Sequence, residues 1–439
     1  MILRLIAENI LSFKEATEFN TFPSSKSQNH DNHKIECGHA TILRMSALYG
    51  ANGAGKSNLL NVLGLLQTMV KSESLREIKF YDGIAFKLDS EYINKPSGIA
   101  VEYYANGNLF YYHIEFSTKE VVSETLLLSK KNNDIELFTR QGSEISINSK
   151  FVGKGITEQF KDALKRMVRP DMLLLSFLGK YYPNESTVVS EAYQWFNEKL
   201  RLVLPDSAYG FVPHLLDINA DFAKLMNTIL PDLNTGIQYL KVKKQIISDK
   251  DITDEHTMQF VKWAKEHPNE PKAIFVPNDE INIICEDGNV ILKSLVAVHK
   301  KMDGTDEEIL LPHESDGTRR LIEYMPLLYS ILQKDYIYVV DEIERSLHPI
   351  MIKDIIRKIS ESETAKGQLI FTTHESCLLD QNIFRPDEIW FAQKDVEQAT
   401  QLYPLSDFNI HRTANIENGY LDGRYGGIPF LSNLKDLHW

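Results

Sequence analysis

The clearest chemistry in this sequence sits in Gly50-Ala51-Asn52-Gly53-Ala54-Gly55-Lys56-Ser57. These residues fit G-x-x-x-x-G-K-[ST], a loop whose backbone N–H groups converge on one anion. The glycines let the chain curl tightly. A helix beginning just after the loop adds its positive N-terminal end. Lys56 is long enough to reach β- and γ-phosphates, and the Ser57 hydroxyl is a ligand for Mg²⁺. Gly50, Asn52, Gly53, Ala54, Gly55, Lys56, Ser57 and Asn58 are the expected nucleotide contacts.

A phosphate loop needs a partner that holds the metal and the attacking water. Tyr336-Ile337-Tyr338-Val339-Val340-Asp341-Glu342 has that form, a buried strand ending in two carboxylates. Asp341 is expected to bind Mg²⁺ through water. Glu342 is expected to orient or deprotonate the attacking water. Gln368-Leu369-Ile370-Phe371-Thr372-Thr373-His374 is a second apolar strand, ending in a histidine placed to meet the γ-phosphate. Finally, Ser315-Asp316-Gly317-Thr318 opens a helix, so Ser315, Gly317 and Thr318 form a second candidate anion site. Simple helix capping by Ser315 is the alternative. Lys56, Glu342 and His374 are therefore the catalytic candidates, and Ser57 and Asp341 the metal ligands.

These residues require elements that bring them together. Ser46–Tyr49 is a short apolar run before the loop, and Asn58–Val70 has apolar residues at helical spacing (Leu59, Val62, Leu63, Leu66, Met69). Residues 98–147 read as β-rich, with Asn106-Gly107 as a hairpin turn. Residues 155–235 read as mostly helical, broken at Pro170, Pro183, Pro205 and Pro213. Residues 237–311 read as mixed, with short strands at 281–285 and 290–295. Residues 20–40, rich in Ser, Asn and His, read as a surface loop. Open α/β sheets bind ligands at the C-terminal ends of their strands, which suits all three strand-end motifs.

Composition sets the wider limits. The chain has 439 residues, which at roughly 150 residues per domain gives about three domains. It is 43% hydrophobic and 25% charged, an ordinary globular balance. Its net charge of −13 argues against a protein that coats nucleic acid. Lysines 241, 243 and 244 and lysines 293, 300 and 301 form two clusters, read as solvated faces. No apolar run approaches the ~20 residues of a membrane helix. Three widely spaced cysteines fit a reducing cytoplasm.

The four motifs, in this order, resemble the ATP-binding cassette (ABC) superfamily in its soluble SMC and RecF branch. Walker A matches residues 50–57, the signature 315–318, Walker B 336–342, the D-loop Glu344–Pro349 and the switch histidine His374. Asn9-Ile10-Leu11-Ser12-Phe13-Lys14 is similar to the Asn-Phe-x-Ser-Phe segment of the RecF-like branch. Asp341-Glu342-Ile343-Glu344, Ser346-Leu347-His348-Pro349 and Gly423–Phe430 resemble the overcoming-lysogenization-defect-like and RloA/AbiL-like anti-phage defence ATPases.

The resemblance implies an α/β fold, a P-loop NTPase with an ABC-type head of mixed or parallel sheet plus an antiparallel β subdomain, and a mostly helical insertion. Residues 1–150 and 311–439 would form the two halves of the head. Residues 151–310 would form the insertion, a lid or partner dock without the heptads of an SMC arm. It also implies ATP and Mg²⁺ as cofactors and head-to-tail homo-oligomers that sandwich ATP. The expected role is a cytoplasmic regulator of a separately encoded effector, a nuclease or toxin. A RecF- or SMC-like DNA repair ATPase is the alternative, and DNA stays open as a partner. No membrane partner is expected.

Overall fold

The computed structural model describes residues 1–80, 83–148, 157–184, 186–205, 211–233, 235–247, 255–276, 279–411 and 414–428. The chain forms two compact units. The first is Met1–Leu204, Ile331–Ile343 and Ile355–Trp439, and the second is Pro205–Ser330 and Glu344–Asp354.

Two sheets build the first unit. One has six strands in the order Leu200–Val203, Ile337–Val340, Gln368–Thr372, Met45–Gly50, Ile389–Lys394 and Thr400–Pro404. Its first five strands run parallel, and only the last pair is antiparallel. The three central strands are buried at every position. That explains their unbroken apolar sequences, since a sheet covered on both faces has no polar side to alternate with. Because these strands are parallel, Gly50, Asp341 and the Thr372–His374 segment all emerge at one edge.

The other sheet is antiparallel and has seven strands, in the order Glu144–Ile147, Ile135–Gln141, Val121–Ser129, Asn108–Phe116, Ser97–Ala105, Ile2–Glu8 and Thr17–Asn20. Asn106 and Gly107 both take positive φ, 48° and 87°. This is the turn that matches the twist of a tight hairpin. The helix Lys56–Lys71 joins the two sheets. Its Leu59, Leu60 and Leu63 meet Ile2, Leu5 and Phe19 on one side and Val339 and Ile370 on the other. Truncating one such leucine to alanine costs about 2–5 kcal/mol. The phosphate loop is thus tethered to a helix anchored in the core of the unit.

The helices Glu158–Met167, Leu174–Tyr181 and Thr187–Gln194 also lie in this unit. The sequence places the start of the insertion at 151, whereas the chain stays with the first unit as far as Leu204. Packing explains the difference. Leu174, Phe177, Trp195 and Phe196 join the main core. Buried Glu124 accepts hydrogen bonds from Leu174 N (2.6 Å), Leu175 N (2.8 Å) and the Tyr112 hydroxyl (2.8 Å). Leu200–Val203 then adds a parallel strand beside Ile337–Val340. Gln67 donates to Phe196 O (2.6 Å) and Leu200 O (2.9 Å), so it holds that strand in place from the phosphate-loop helix.

The segment 20–40 is not simply a surface loop. Lys34–Cys37 and Ala40–Leu43 pair as a hairpin, and His33 is fully buried. Its Nδ1 lies 2.9 Å from the Glu388 carboxylate and its Nε2 2.9 Å from Ser360 O. Arg385 is also fully buried and donates to Asp387 and to Ser27 O. Polar residues that read as solvent-facing are here satisfied inside the protein.

The second unit carries an antiparallel sheet of five strands beside helices such as Val212–Ile218, Ala220–Asp232 and Glu255–Glu266. Its order is Ile237–Ile247, Asn289–Lys300, Asp279–Glu286, Lys272–Val276, with Asp306–Leu310 also pairing to Asn289–Lys300. The lysine clusters lie on this sheet, and each lysine meets a carboxylate. Lys241 and Lys243 pair with Glu308, Lys244 with Asp217, Lys300 with Asp306 and Lys301 with Glu307. Lys293 departs from the solvated-face reading. It is buried and bridges Asp217 (2.8 Å) and Glu286 (2.7 Å), since a buried ammonium persists only when paired. Among the described residues no helix is long and apolar enough to cross a membrane.

Candidate active site

The phosphate loop fills the turn between the strand Met45–Gly50 and the helix Lys56–Lys71. Asn52 and Gly53 are exposed at its tip, and Ala54 and Lys56 are buried at its base. Gly53 and Gly55 take φ of 77° and 105°, a region costly for residues with a Cβ. A Cβ on Gly53 would meet nothing within 4 Å, so that side of the loop is open to a ligand. Lys56 Nζ donates to Gly50 O (2.8 Å) and Ala51 O (3.2 Å), folding its ammonium back over the loop. Asn58 lies in the first turn of the helix.

The loop is braced from below by Ser12 and by Thr400, which the sequence did not single out. Thr400 Oγ1 lies 2.9 Å from Ala54 O and 2.8 Å from Ser12 Oγ, and Thr400 N donates to Ser12 O (2.8 Å). Ser12 belongs to the segment that resembles the RecF-like N-terminus. Asn9 of that segment donates to the carbonyls of Tyr92, Lys95 and Pro96. The C-terminal glycines also have a local reason. Gly426 and Gly427 take φ of 70° and 69°, and a Cβ on Gly427 would come within 3.7 Å of Gly50 Cα. Pro429 and Phe430 of that motif lie outside the described residues.

The metal candidates come together. Ser57 Oγ donates to Asp341 Oδ1 (3.0 Å), and Thr372 Oγ1 donates to the same oxygen (2.5 Å). A hydroxyl and a carboxylate are hard oxygen donors of the kind Mg²⁺ takes while retaining several waters, so this pair fits the ion. Glu342 has φ 50°, uncommon for a residue with a side chain. Its backbone N–H donates to Thr372 Oγ1 (2.8 Å), which holds the strained turn. Thr372 therefore positions both carboxylates at once. The sequence placed it within a strand without a role, because its partners lie on another strand. Burial holds the His374 imidazole below its ordinary range, and the Lys56 charge adds to this, with Glu342 and Asp341 opposing. That favours an uncharged ring, within electrostatic reach of Lys56, Glu342 and Asp341.

Replacing Thr372 by valine keeps its shape and removes the bridging hydroxyl. One buried N–H then loses its partner, a cost of about 1–3 kcal/mol. The expected result is about a tenfold fall in kcat for ATP hydrolysis with KM little changed, since a factor of ten corresponds to ~1.4 kcal/mol. Steady-state phosphate release checks this.

The signature candidates occupy the second unit. Ser315 Oγ accepts from Thr318 N (3.1 Å) and lies 2.8 Å from Thr318 Oγ1, so it does cap the helix. Capping does not exhaust the place. Ser315, Gly317 and Thr318 line an open recess of about 230 Å³ together with Ser346 and His348. A Cβ on Gly317 would meet Ser346 O at 2.9 Å, so glycine lets the two loops approach.

A parallel sheet with a phosphate loop and paired carboxylates at one edge, beside an antiparallel sheet packed on the loop helix, has the form of a P-loop ATPase. The family model described as "AAA domain, putative AbiEii toxin, Type IV TA system" matches residues 45–380. The chain belongs to that family. No curated protein matches it. Among solved structures, an SMC head domain from Thermotoga maritima is 13% identical with a TM-score of 0.40, covering 92% of this chain and 98% of that one. An Smc head bound to the C-winged helix domain of ScpA has the same identity and TM-score, with 92% and 97% covered. An Smc head with an extended coiled coil, bound to the C-terminal domain of ScpA derived from Pyrococcus furiosus, is 12% identical with a TM-score of 0.40, with 92% and 96% covered.

Proposed function

We propose that this ATPase is the nucleotide-driven regulator of an anti-phage defence system, acting on a separately encoded effector. The observation that carries the catalytic part is the connected set Ser57–Asp341–Thr372–Glu342 beneath an open phosphate loop. Lys56 and the N–H groups of residues 50–58 bind the triphosphate. Ser57 and Asp341 would hold Mg²⁺, which would neutralise charge on the phosphates. Glu342 orients the attacking water, and His374, neutral, donates a hydrogen bond toward the γ-phosphate. Catalysis of this kind is positioning and charge stabilisation. Ser315, Gly317 and Thr318 of a second copy close the site, giving a head-to-tail pair that ATP holds together and hydrolysis releases.

The defence role is supported by the family description, which names the AbiEii toxin and a type IV toxin–antitoxin system. The DNA repair alternative is disfavoured by the lysine clusters, whose charges are matched by Glu308, Asp217, Glu286, Asp306 and Glu307. Affinity for DNA comes mainly from lysines and arginines available to phosphates.

The test is a phage challenge of cells expressing the chain with its gene neighbours. Plaque counts should drop sharply relative to empty cells, and Lys56→Ala should abolish the protection. Equal plaque counts with and without the system, or a need for the chain in surviving DNA damage instead, would reject the defence reading.

A further inference from the structure

The parallel sheet of the first unit has a second edge, opposite the phosphate loop. The strand ending at Gly50 starts directly after Arg44. The strand leading to Asp341 starts two residues after Asp335, and the strand ending at Thr372 starts two residues after Lys366. Arg44, Asp335 and Lys366 line one cavity of about 470 Å³, together with Lys34, Lys199 and Tyr104. That volume lies in the ~300–1,000 Å³ range of small-molecule sites. Nothing in the nucleotide chemistry described above uses it.

The charges in this cavity run against the rest of the chain. Its lining has four basic side chains, Lys34, Arg44, Lys199 and Lys366, against two acidic ones, Glu36 and Asp335, in a protein of net charge −13. Two of the four cations have partners. Lys34 pairs with Asp31 (2.7 Å) and Lys199 with Asp335 (2.6 Å). Among the described residues the other two make no ion pair, although the Glu388 carboxylate acts on Arg44 from a longer range. Lys366 is exposed and has no ion pair among the described residues. Arg44 is only 4% exposed. Its Nη1 donates to Ser362 O (2.7 Å), but its buried Nε has no hydrogen-bond partner. An unmade buried donor is rare in native proteins. A guanidinium fork matches the oxygens of a phosphate or carboxylate, and a nearby ammonium adds to the attraction.

We propose that this cavity binds a small organic anion of mononucleotide size, with its phosphate or carboxylate oxygens on Arg44 and Lys366 and its body against Tyr104. The site is separate from the phosphate loop and its assignment does not depend on ATP hydrolysis.

Calorimetric titration of the full-length chain tests it. The Lys56→Ala variant is used, so that the phosphate loop contributes little. The probes are AMP, inorganic phosphate and citrate. At least one probe should bind with a Kd of about 1 mM or tighter. Lys366→Ala, a change at an exposed residue that leaves the fold intact, should weaken that binding about tenfold. Arg44→Lys keeps the charge but removes the fork, and should weaken it at least as much. Preference for AMP or phosphate over citrate assigns phosphate chemistry, and the reverse preference assigns carboxylate chemistry. No binding by any of the three probes, or binding that neither added substitution changes, overturns the proposal.

Discussion

Glu342→Gln should bind ATP as the native chain does and hydrolyse it about 10²- to 10⁴-fold more slowly, the usual contribution of a general base. The isosteric amide keeps the turn in which Glu342 sits. Its backbone N–H still reaches Thr372 Oγ1 at 2.8 Å, and Asp341 still receives the hydroxyls of Ser57 and Thr372. What disappears is the charge that aligns the attacking water and takes its proton. Phosphate release at saturating ATP should therefore collapse, while the equilibrium affinity for ATP, measured by calorimetry, stays within a few-fold. Because closure would outlast a normal turnover, size-exclusion chromatography with ATP should show a larger species that the native chain forms only transiently. Normal turnover by this variant would sink the assignment of Glu342. A variant that loses both ATP binding and hydrolysis would instead show that the turn, not the water, was disturbed.

The candidate site residues are legible in the sequence where the chemistry demands neighbours in the chain. A phosphate loop needs its glycines, lysine and serine in sequence, and the two carboxylates need the end of one strand. Residues that act across strands left no such trace. Thr372 touches Asp341 and Glu342 only because Ile337–Val340 and Gln368–Thr372 are parallel neighbours. Thr400 and Ser12 meet beneath the loop from distant parts of the chain. The same limit applies to the fold. Leu200–Val203 is a strand because a parallel neighbour completes it, and its four residues, one of them arginine, follow a helical stretch. Ile237–Ile247 hides among exposed lysines, whose carboxylate partners Glu308 and Asp217 lie elsewhere in the chain. His33 read as a loop residue because Glu388, which makes its burial tolerable, lies far along the chain. Periodicity reports which side of an element is apolar. It does not report which polar residues will find partners.

Two substitutions in the phosphate loop should both weaken nucleotide binding, for separable reasons. Lys56→Ala removes the one side chain of the loop that carries a positive charge to the phosphates. A hydrogen bond to a charged group is worth about 1.5–3 kcal/mol, so ATP affinity should fall about 10- to 100-fold. The fold should hardly notice. Lys56 Nζ donates to carbonyls of its own loop, Gly50 O and Ala51 O. Gly55→Ala should fail more completely. The new Cβ would lie 2.1 Å from Thr400 Oγ1 and 2.9 Å from Ser12 Oγ, on a backbone whose φ is 105°. Thr400 is fully buried and committed to Ala54 O and Ser12, so it cannot swing aside without breaking the brace. Strain of this kind costs about 1–3 kcal/mol before any clash is counted. Calorimetry and thermal melting together separate the two cases. Lys56→Ala should lose affinity at an unchanged Tm, whereas Gly55→Ala should lose affinity and several degrees of Tm together. An alanine at position 55 with native Tm and native affinity would mean that the Thr400–Ser12 brace does not set the shape of the loop.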